Sequence, residues 1–138
     1  MIDAFKSLLD NAENILITTH KSPDGDAIGS AAAFSRFVSA YGKNNHVLLP
    51  DSPAGNLMSF LNGVTYSFFD NFVLTDDHYD LMICLDYNHP HRVGDKMKSL
   101  VLELNAPKIM IDHHPNPTEF CNLTISRPEV CSTAQLLY

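Results

Sequence analysis

The sequence predicts an α/β fold: a doubly wound, mainly parallel sheet with helices on both faces. Short apolar runs alternate with longer segments whose apolar residues recur at helical spacing, and this alternation is typical of strand–helix–strand units. Three of the apolar runs end in acidic or imidazole side chains. Open α/β sheets place their ligand sites at strand ends of this kind. At 138 residues the chain fits a single domain.

The first half of the chain carries five predicted elements. In order they are a helix over residues 2–12, a strand over 15–19, a helix over 27–41, a strand over 46–49 and a short helix over 56–61. Phe5, Leu8 and Leu9 give the first helix its apolar spacing. Gly42 suits the left-handed position that ends the second helix. We interpret His46 as a strand-end surface residue rather than a ligand.

The second half continues the alternation of strand and helix. The predicted elements are an edge strand within 64–69, a connector over 72–74, a strand over 80–85, a helix over 93–104, a strand over 108–111, a short strand over 122–125 and a helix over 133–138. Ser132 is the expected N-cap of the last helix. Asp76, Asp77 and His78 precede a strand, at the edge opposite the strand ends, and we interpret them as solvated loop charge.

Composition narrows the class of protein. Every apolar run is shorter than the roughly 20 residues that span a bilayer, and residues 1–4 lack a secretory pattern. The cysteines, Cys84, Cys121 and Cys131, are odd in number and have no metal-type spacing. Free thiols are therefore expected, and these fit a reducing cytoplasm. The net charge of -7 argues against binding along an extended nucleic-acid duplex, because such binding needs clustered basic side chains. Bound cations would still make an acidic cleft attractive to a small phosphorylated ligand.

The loop after the first strand carries the first candidate site. His20, Asp24 and Asp26 offer one imidazole and two carboxylates, which suit a divalent metal ion. Pro23 and Gly25 flank Asp24 and favour a tight path that turns both acids inward. The alternative is an ordinary strand-to-helix turn, with an aspartate as helix N-cap and His20 on the surface.

Two later strands end in similar groups. One apolar strand leads into Asp86, and another leads into Asp112, His113 and His114. The carboxyl ends of parallel strands share one edge of the sheet, so these groups can converge on one cleft with those of the first loop. Three such strand ends favour a shared metal site over unrelated turns.

Together these motifs resemble those of the DHH phosphoesterase family. The matching residues are His20, Asp24, Asp26, Gly29 and Ser30 in the first motif, Asp86 in the second, and Asp112, His113 and His114 in the third. The resemblance runs over essentially the whole chain and is nearest to the small bacterial oligoribonuclease and phosphoadenosine-phosphate phosphatase branch. It implies that residues 1–138 are the N-terminal part of a catalytic DHH domain, truncated before a fourth-motif aspartate and a smaller C-terminal substrate-binding domain.

The resemblance also implies how a pair of divalent ions would be held. Asp86 would bridge the two ions. His20 and Asp24 would complete one site, and Asp26 and His113 would complete the other. The mixture of imidazole and carboxylate suits Mn²⁺, with Mg²⁺ or Co²⁺ as alternatives.

Three residues, His114, Ser30 and Arg92, are expected to contact substrate phosphate. By the resemblance, His114 would face substrate phosphate as donor or general acid, and Asp112 would fix a histidine tautomer from outside the coordination shell. With Asp86, these two form the expected catalytic group. Ser30 lies near the start of the predicted helix over 27–41, whose positive end could meet an anion. Arg92 offers a planar fork for phosphate, or else pairs with Asp86 or the following helix.

The implied function is two-metal hydrolysis of short oligoribonucleotides or nucleotide phosphates, such as nanoRNA, phosphoadenosine phosphate and linear or cyclic dinucleotides. The alternatives are a manganese-dependent pyrophosphatase or exopolyphosphatase, and an inactive metal- or nucleotide-binding module. Expected partners are short single-stranded RNA or DNA or a nucleotide phosphate, with no membrane and with homodimerisation of the full-length protein. Residues 1–138 alone are expected to be weakly active or inactive. Without metal the carboxylates of Asp24, Asp26 and Asp86 repel one another, so removing one of them should slightly stabilise the metal-free chain.

Overall fold

The computed structural model describes residues 1–73 and 79–138. Its strands are β1 (Asn14–Thr18), β2 (Asn44–Leu49), β3 (Tyr66–Phe68), β4 (Leu81–Leu85), β5 (Lys108–Asp112) and β6 (Leu123–Ser126). In this part of the chain they form one six-stranded sheet of order β3-β2-β1-β4-β5-β6. Every pairing of neighbouring strands among the described residues is parallel. The predicted parallel sheet is confirmed, with β3 as the predicted edge strand.

Helices cover both faces of this sheet. The α-helices are α1 (Ile2–Asn11), α2 (Gly25–Ala40), α3 (Asp95–Glu103) and α4 (Thr133–Leu137), and 3₁₀ segments run over Gly55–Leu61, Phe69–Asn71 and Pro90–Val93. Within the described ranges, no helix combines the length and the apolar character needed to cross a bilayer.

The strands are apolar on both sides because each side packs against helices. Ile15 and Ile17 of β1 belong to a buried cluster that includes Phe34 of α2. Leu16, between them, belongs to a second cluster that includes Met97 of α3. Successive strand residues point to opposite faces, so one strand supplies both cores. This confirms the doubly wound arrangement.

The third helix begins later than the sequence predicts. Residues Pro90–Val93 form a 3₁₀ turn, and α3 starts only at Asp95. Gly94 separates the two with a φ of 85°, a left-handed conformation that glycine adopts without strain and that no helix can continue through. A Cβ at this position would also meet the Lys21 side chain at 3.1 Å. The helix predicted over 93–104 is therefore divided at Gly94.

The interpretation of His46 as a surface residue at a strand end is wrong. His46 is the third residue of β2 and is half-buried. Its Nε2 lies 2.8 Å from the Ser67 hydroxyl oxygen, and its ring centroid lies 5.6 Å from that of Phe72. The loop prediction for residues 76–78 and the end of the predicted connector fall outside the described residues.

Asp80 connects the beginnings of β1 and β4. Its carboxylate accepts hydrogen bonds from the backbone N–H groups of Glu13 (3.0 Å to Oδ2) and Asn14 (3.0 Å to Oδ1). We expect Asp80→Ala to lower the free energy of unfolding by about 1–3 kcal/mol, because these charge-assisted bonds are lost. Urea titration followed by circular dichroism measures the change. An unchanged unfolding midpoint would show that the contacts add nothing to stability.

Candidate metal centre

The candidate site lies where the order of strand addition in the sheet reverses, between β1 and β4. From β1 the chain runs outward through β2 and β3, and it then returns to β4 on the other side of β1 before continuing to β5 and β6. Loops at such a switch point diverge and leave a crevice at the carboxyl ends of the strands. His20 follows β1, Asp86 follows β4, and His113 follows β5. The structure brings these three together with Asp24 and Asp26.

Asp86 is the centre of the arrangement. It is only 1% exposed, and its backbone N–H still donates to the carbonyl of Ile111 at 3.0 Å. Its Oδ2 lies 3.5 Å from Nε2 of His20, and its Oδ1 lies 3.6 Å from Nε2 of His113. The backbone φ is 63°, a left-handed conformation that aspartate tolerates better than most residues. Each oxygen of one carboxylate therefore faces a different histidine.

On the Oδ2 side of Asp86, His20 and Asp24 complete what we call the His20 cluster. Nδ1 of His20 lies 2.8 Å from the Lys21 carbonyl oxygen, and a carbonyl only accepts, so Nδ1 carries the hydrogen. Nε2 is then directed at Asp86 and lies 3.8 Å from Oδ1 of Asp24. Asp24 is also the N-cap of α2, since Oδ1 accepts from the N–H of Ala27 at 3.0 Å. Asp24 is thus both a helix cap and a candidate ligand.

On the Oδ1 side of Asp86, His113 and Asp26 complete what we call the His113 cluster. Nδ1 of His113 lies 3.4 Å from the Val130 carbonyl oxygen, so this nitrogen too carries a hydrogen. Nε2 of His113 lies 3.6 Å from Oδ2 of Asp26. The second cluster therefore repeats the arrangement of the first, with one imidazole nitrogen between two carboxylate oxygens.

The donor atoms fit divalent cations. Histidines that bind metals usually donate one ring N–H to a carbonyl or carboxylate and offer the other nitrogen to the ion, as His20 and His113 do here. In a neutral imidazole the free nitrogen is an acceptor, so Nε2 and the nearby carboxylate oxygens repel unless a proton or a cation lies between them. The ligand atoms of His20, Asp24 and Asp86 lie within 4.8 Å of one another, as do those of Asp86, His113 and His114.

His114 is paired with Asp112. The Asp112 side chain is fully buried; its Oδ2 accepts from the backbone N–H of His114 at 2.9 Å, and its Oδ1 lies 2.7 Å from Nδ1 of the same residue. The same ring nitrogen lies 3.9 Å from Oδ1 of Asp86. His114 is thus fixed at the border of the His113 cluster, with Nδ1 held by Asp112.

The other two expected phosphate contacts, Ser30 and Arg92, have different surroundings. Ser30 is fully buried and donates its hydroxyl to Oδ1 of Asp26 at 3.3 Å. Its hydroxyl therefore supports a carboxylate and is not open to solvent in this structure. Arg92 is exposed, and its backbone oxygen accepts from the N–H of Lys21 at 2.7 Å. Within residues 1–73 and 79–138, the structure shows no hydrogen bond or ion pair of the Arg92 guanidinium, so the pairing with Asp86 is not observed.

Thr133, the first residue of α4, is a site residue that sequence reasoning missed. It is fully buried, and its hydroxyl donates to Oδ1 of Asp86 at 2.7 Å. Its backbone N–H donates to Oδ2 of Asp26 at 2.8 Å, and the N–H of Ala134 donates to Oδ1 at 2.9 Å. The only sequence signal was the neighbouring N-cap, Ser132, which accepts from the N–H of Gln135 as predicted.

Burial and contacts within the site shift the pKa values of His20 and Asp86. Burial alone would lower the pKa of His20, but Asp86 and the Lys21 carbonyl outweigh burial and raise the pKa above 6.5. Burial alone would raise the pKa of Asp86, but His20 and the Thr133 hydroxyl outweigh it and lower the pKa below 3.8. Each member of the His20–Asp86 pair favours the charged form of the other.

These shifts predict how the stability of the metal-free chain depends on pH. Protonated His20 stabilises the fold below its unfolded pKa of 6.5, and this contribution is lost as pH rises through the higher folded pKa. Ionised Asp86 stabilises the fold above its unfolded pKa of 3.8, and this contribution is lost as pH falls through the lower folded pKa. The pair is therefore expected to contribute most between those two values.

Unfolding by urea in EDTA, with wild type and His20→Gln compared at several pH values, measures this dependence. The difference in unfolding free energy should shrink as pH rises above 6.5. His46, whose pKa is lowered by burial, has the opposite pH dependence, but it is present in both chains and cancels in the difference. A difference that stays constant across this range would contradict the assignment to His20.

A parallel α/β sheet with two imidazole–carboxylate clusters at its switch point offers ligand atoms suited to divalent cations. The chain belongs to the DHH family, because the model of the DHH family N-terminal domain matches residues 14–138. The resemblance carried by the three motifs is thereby confirmed.

Several proteins are similar to this chain. NrnA of Mycoplasma genitalium, a bifunctional oligoribonuclease and PAP phosphatase, is 31% identical over 75% of this chain and 31% of its own length. The cyclic-di-AMP phosphodiesterase GdpP of Bacillus subtilis is 24% identical over 97% of this chain and 22% of its own length. The crystal structure of an exopolyphosphatase-related protein from Bacteroides fragilis has a TM-score of 0.90 and 36% identity, covering 99% of this chain and 41% of that one. The chain thus spans less than half the length of each of these proteins.

Proposed function

We propose that the chain carries the metal centre of a two-metal phosphoesterase that hydrolyses short oligoribonucleotides or nucleotide phosphates. The observation that supports this most strongly is the Asp86 carboxylate. Its two oxygens lie 3.5 Å and 3.6 Å from the free nitrogens of His20 and His113. A carboxylate between two ligand sets is the arrangement expected of a residue that bridges two ions.

Different residues of the chain are proposed to hold each of the two ions. When bound, two divalent ions would supply a nucleophile at neutral pH and neutralise charge on the phosphoryl oxygens. His20 and Asp24 would hold one ion, Asp26 and His113 would hold the other, and Asp86 would set the distance between them. Mn²⁺ suits this set better than Mg²⁺, which prefers oxygen ligands and retained waters.

His114 is the proposed proton donor or phosphate contact. Oδ1 of Asp112 accepts from Nδ1 of His114 at 2.7 Å, which leaves Nε2 for a phosphoryl or leaving-group oxygen. The exposed Arg92 guanidinium is proposed as a second phosphate contact, since a planar fork can bind phosphate bidentately. Ser30 supports the centre through Asp26.

The proposed substrates are small. The net charge of -7 disfavours a long duplex, whose binding depends on clustered basic groups. The similar proteins NrnA and GdpP act, by their names, on oligoribonucleotides, PAP and cyclic-di-AMP, so short single-stranded nucleic acid and nucleotide phosphates are the proposed class. The free thiols of Cys84, Cys121 and Cys131 support a cytoplasmic location. We also propose that the full-length protein is a homodimer.

A polyphosphate-cleaving activity is the second candidate. The similar structure from Bacteroides fragilis is described as exopolyphosphatase-related, and the same pair of ions would serve a phosphoanhydride equally well. A third candidate is a metal- or nucleotide-binding module without activity. The chain spans less than half the length of these relatives, so substrate recognition in each case would depend on sequence outside the matched region, and turnover by residues 1–138 alone is expected to be poor.

A panel of substrates separates the three candidates. Full-length protein with Mn²⁺ is tested on a short RNA, phosphoadenosine phosphate, a cyclic dinucleotide, pyrophosphate and polyphosphate. Hydrolysis of the first three classes above the last two would support the proposal. Preferential cleavage of pyrophosphate or polyphosphate would favour the second candidate, and no turnover of any of them by folded, manganese-bound protein would favour the binding module.

A further inference from the structure

One buried residue of α4 contacts both carboxylates of the His113 cluster. The Thr133 hydroxyl donates to Oδ1 of Asp86 at 2.7 Å, and its backbone N–H donates to Oδ2 of Asp26 at 2.8 Å. Thr133 is itself fully buried, so no solvent competes for these bonds. Asp26 and Asp86 are separated by 60 residues in the sequence, and Thr133 joins them from a third element.

The Thr133 hydroxyl is the hydrogen-bond donor in its contact with Asp86. An ionised carboxylate only accepts, so the single hydrogen of the Thr133 hydroxyl points to Asp86. A carboxylate oxygen has two lone-pair sites, and Oδ1 can therefore accept from Thr133 while it remains a metal ligand. With Oδ1 fixed, the carboxylate cannot rotate freely, and Oδ2 stays 3.5 Å from Nε2 of His20.

The backbone hydrogen bonds to Asp26 also fix the orientation of a carboxylate in the His113 cluster. Both oxygens of Asp26 accept from α4, through the N–H groups of Thr133 and Ala134. Asp26 also lies 3.6 Å from Nε2 of His113. The beginning of α4 therefore sets the orientation of two carboxylates that face the same histidine.

We propose that Thr133 is a positioning residue that holds Asp86 in the orientation needed to bridge two metal ions. The inference rests on the proposed two-metal site and adds to it a residue outside the motifs. Its hydroxyl acts through Asp86 and does not itself contact the ions. Outer partners of metal ligands typically change metal affinity or activity by about 10- to 100-fold when they are removed.

The test compares Mn²⁺ binding by isothermal titration calorimetry for wild type, Thr133→Val and Thr133→Ser, each as the full chain. Valine removes the hydroxyl at nearly constant volume, and serine retains it. We expect Thr133→Val to weaken Mn²⁺ binding by about 10- to 100-fold and Thr133→Ser to stay close to wild type. Kinetics should agree, with kcat reduced in the valine variant and KM little changed.

Ser132→Ala is the matched control for general damage to α4. It removes the N-cap bond to Gln135 and leaves the contacts to Asp26 and Asp86 in place. This variant should melt at a lower temperature and keep the manganese affinity of wild type. If Ser132→Ala and Thr133→Val lose affinity equally, the effect belongs to the helix as a whole and the inference is overturned.

Two further outcomes are decisive. If wild type binds two Mn²⁺ ions and Thr133→Val binds them with unchanged affinity, Thr133 does not position Asp86, while the proposed function stands. If wild type binds no Mn²⁺, the proposed function and the inference fail together. Should the valine variant not fold, Thr133→Ala replaces it, because alanine removes the hydroxyl without placing a second methyl group against the carboxylate.

Discussion

Replacing Asp86 with asparagine is expected to reduce phosphoesterase activity of the full-length protein by about 10²- to 10⁴-fold, because loss of the bridging carboxylate removes several kcal/mol of transition-state stabilisation. An asparagine side chain has one acceptor oxygen and two N–H donors, so it cannot offer an oxygen to each cluster. Asparagine also tolerates the left-handed backbone, φ 63°, that positions Asp86. Activity should therefore fall without loss of the fold.

Asp80→Asn is the matched control, because it makes the same chemical change at the other end of β4. Asp80 contacts the backbone of Glu13 and Asn14 and lies away from the switch-point crevice. Steady-state assays of the two variants, with circular dichroism as a check of folding, should show a large loss for Asp86→Asn alone. Near-normal activity of folded Asp86→Asn would mean that Asp86 does not bridge the ions.

The contacts of Asp86 also revise an expectation drawn from charge repulsion. Removing one of three neighbouring acids should stabilise the metal-free chain slightly if repulsion dominates. Asp86 instead accepts a hydrogen bond from Thr133 and lies beside His20, whose charged form it favours. Asp86→Ala would leave the buried hydroxyl of Thr133 without this acceptor and place a residue at φ 63° that tolerates it less well. We therefore expect Asp86→Ala to destabilise the chain.

Mn²⁺ is expected to raise the melting temperature of wild type by about 10 °C when its free concentration is about 100-fold above the Kd, because binding to the folded state alone adds about 2.7 kcal/mol of stability. Asp86→Asn should gain much less, since each cluster loses a charged ligand. Thermal melts with added Mn²⁺ or with EDTA measure both gains.

His46→Ala is a useful control in the same melts. It lies in β2, bonded to Ser67 and packed against Phe72, away from both clusters. Its loss should lower the melting temperature in EDTA and leave the manganese-dependent gain intact. Equal gains in wild type and Asp86→Asn would place the ion elsewhere on the chain.

The sequence was sufficient for the sheet and for the convergence of the three motifs. Parallel strands share an edge, so apolar runs that end in His20, Asp86 and His113 had to bring these residues near one another once the strands were assigned. Asp24 shows why two interpretations of one residue need not compete. It caps α2 through Ala27, as the alternative predicted, and it also lies beside His20.

Other features depend on contacts that no local pattern encodes. Thr133 meets Asp86 across 47 residues of sequence, and a threonine after an N-cap serine gives no sign of such a contact. His46 has the sequence context of an exposed strand end, but the neighbouring strand and Phe72 cover it. The late start of α3 depends on the left-handed backbone at Gly94, which the helical spacing of the following residues did not reveal.

Anomalous scattering from crystals grown with Mn²⁺ tests the central proposal most directly. Data collected at the manganese absorption edge locate the ions without assumption about their ligands. We expect two peaks about 3.5–4 Å apart, one next to Oδ2 of Asp86 in the His20 cluster and one next to Oδ1 in the His113 cluster. A single peak, or peaks that do not contact Asp86, would contradict the two-metal centre.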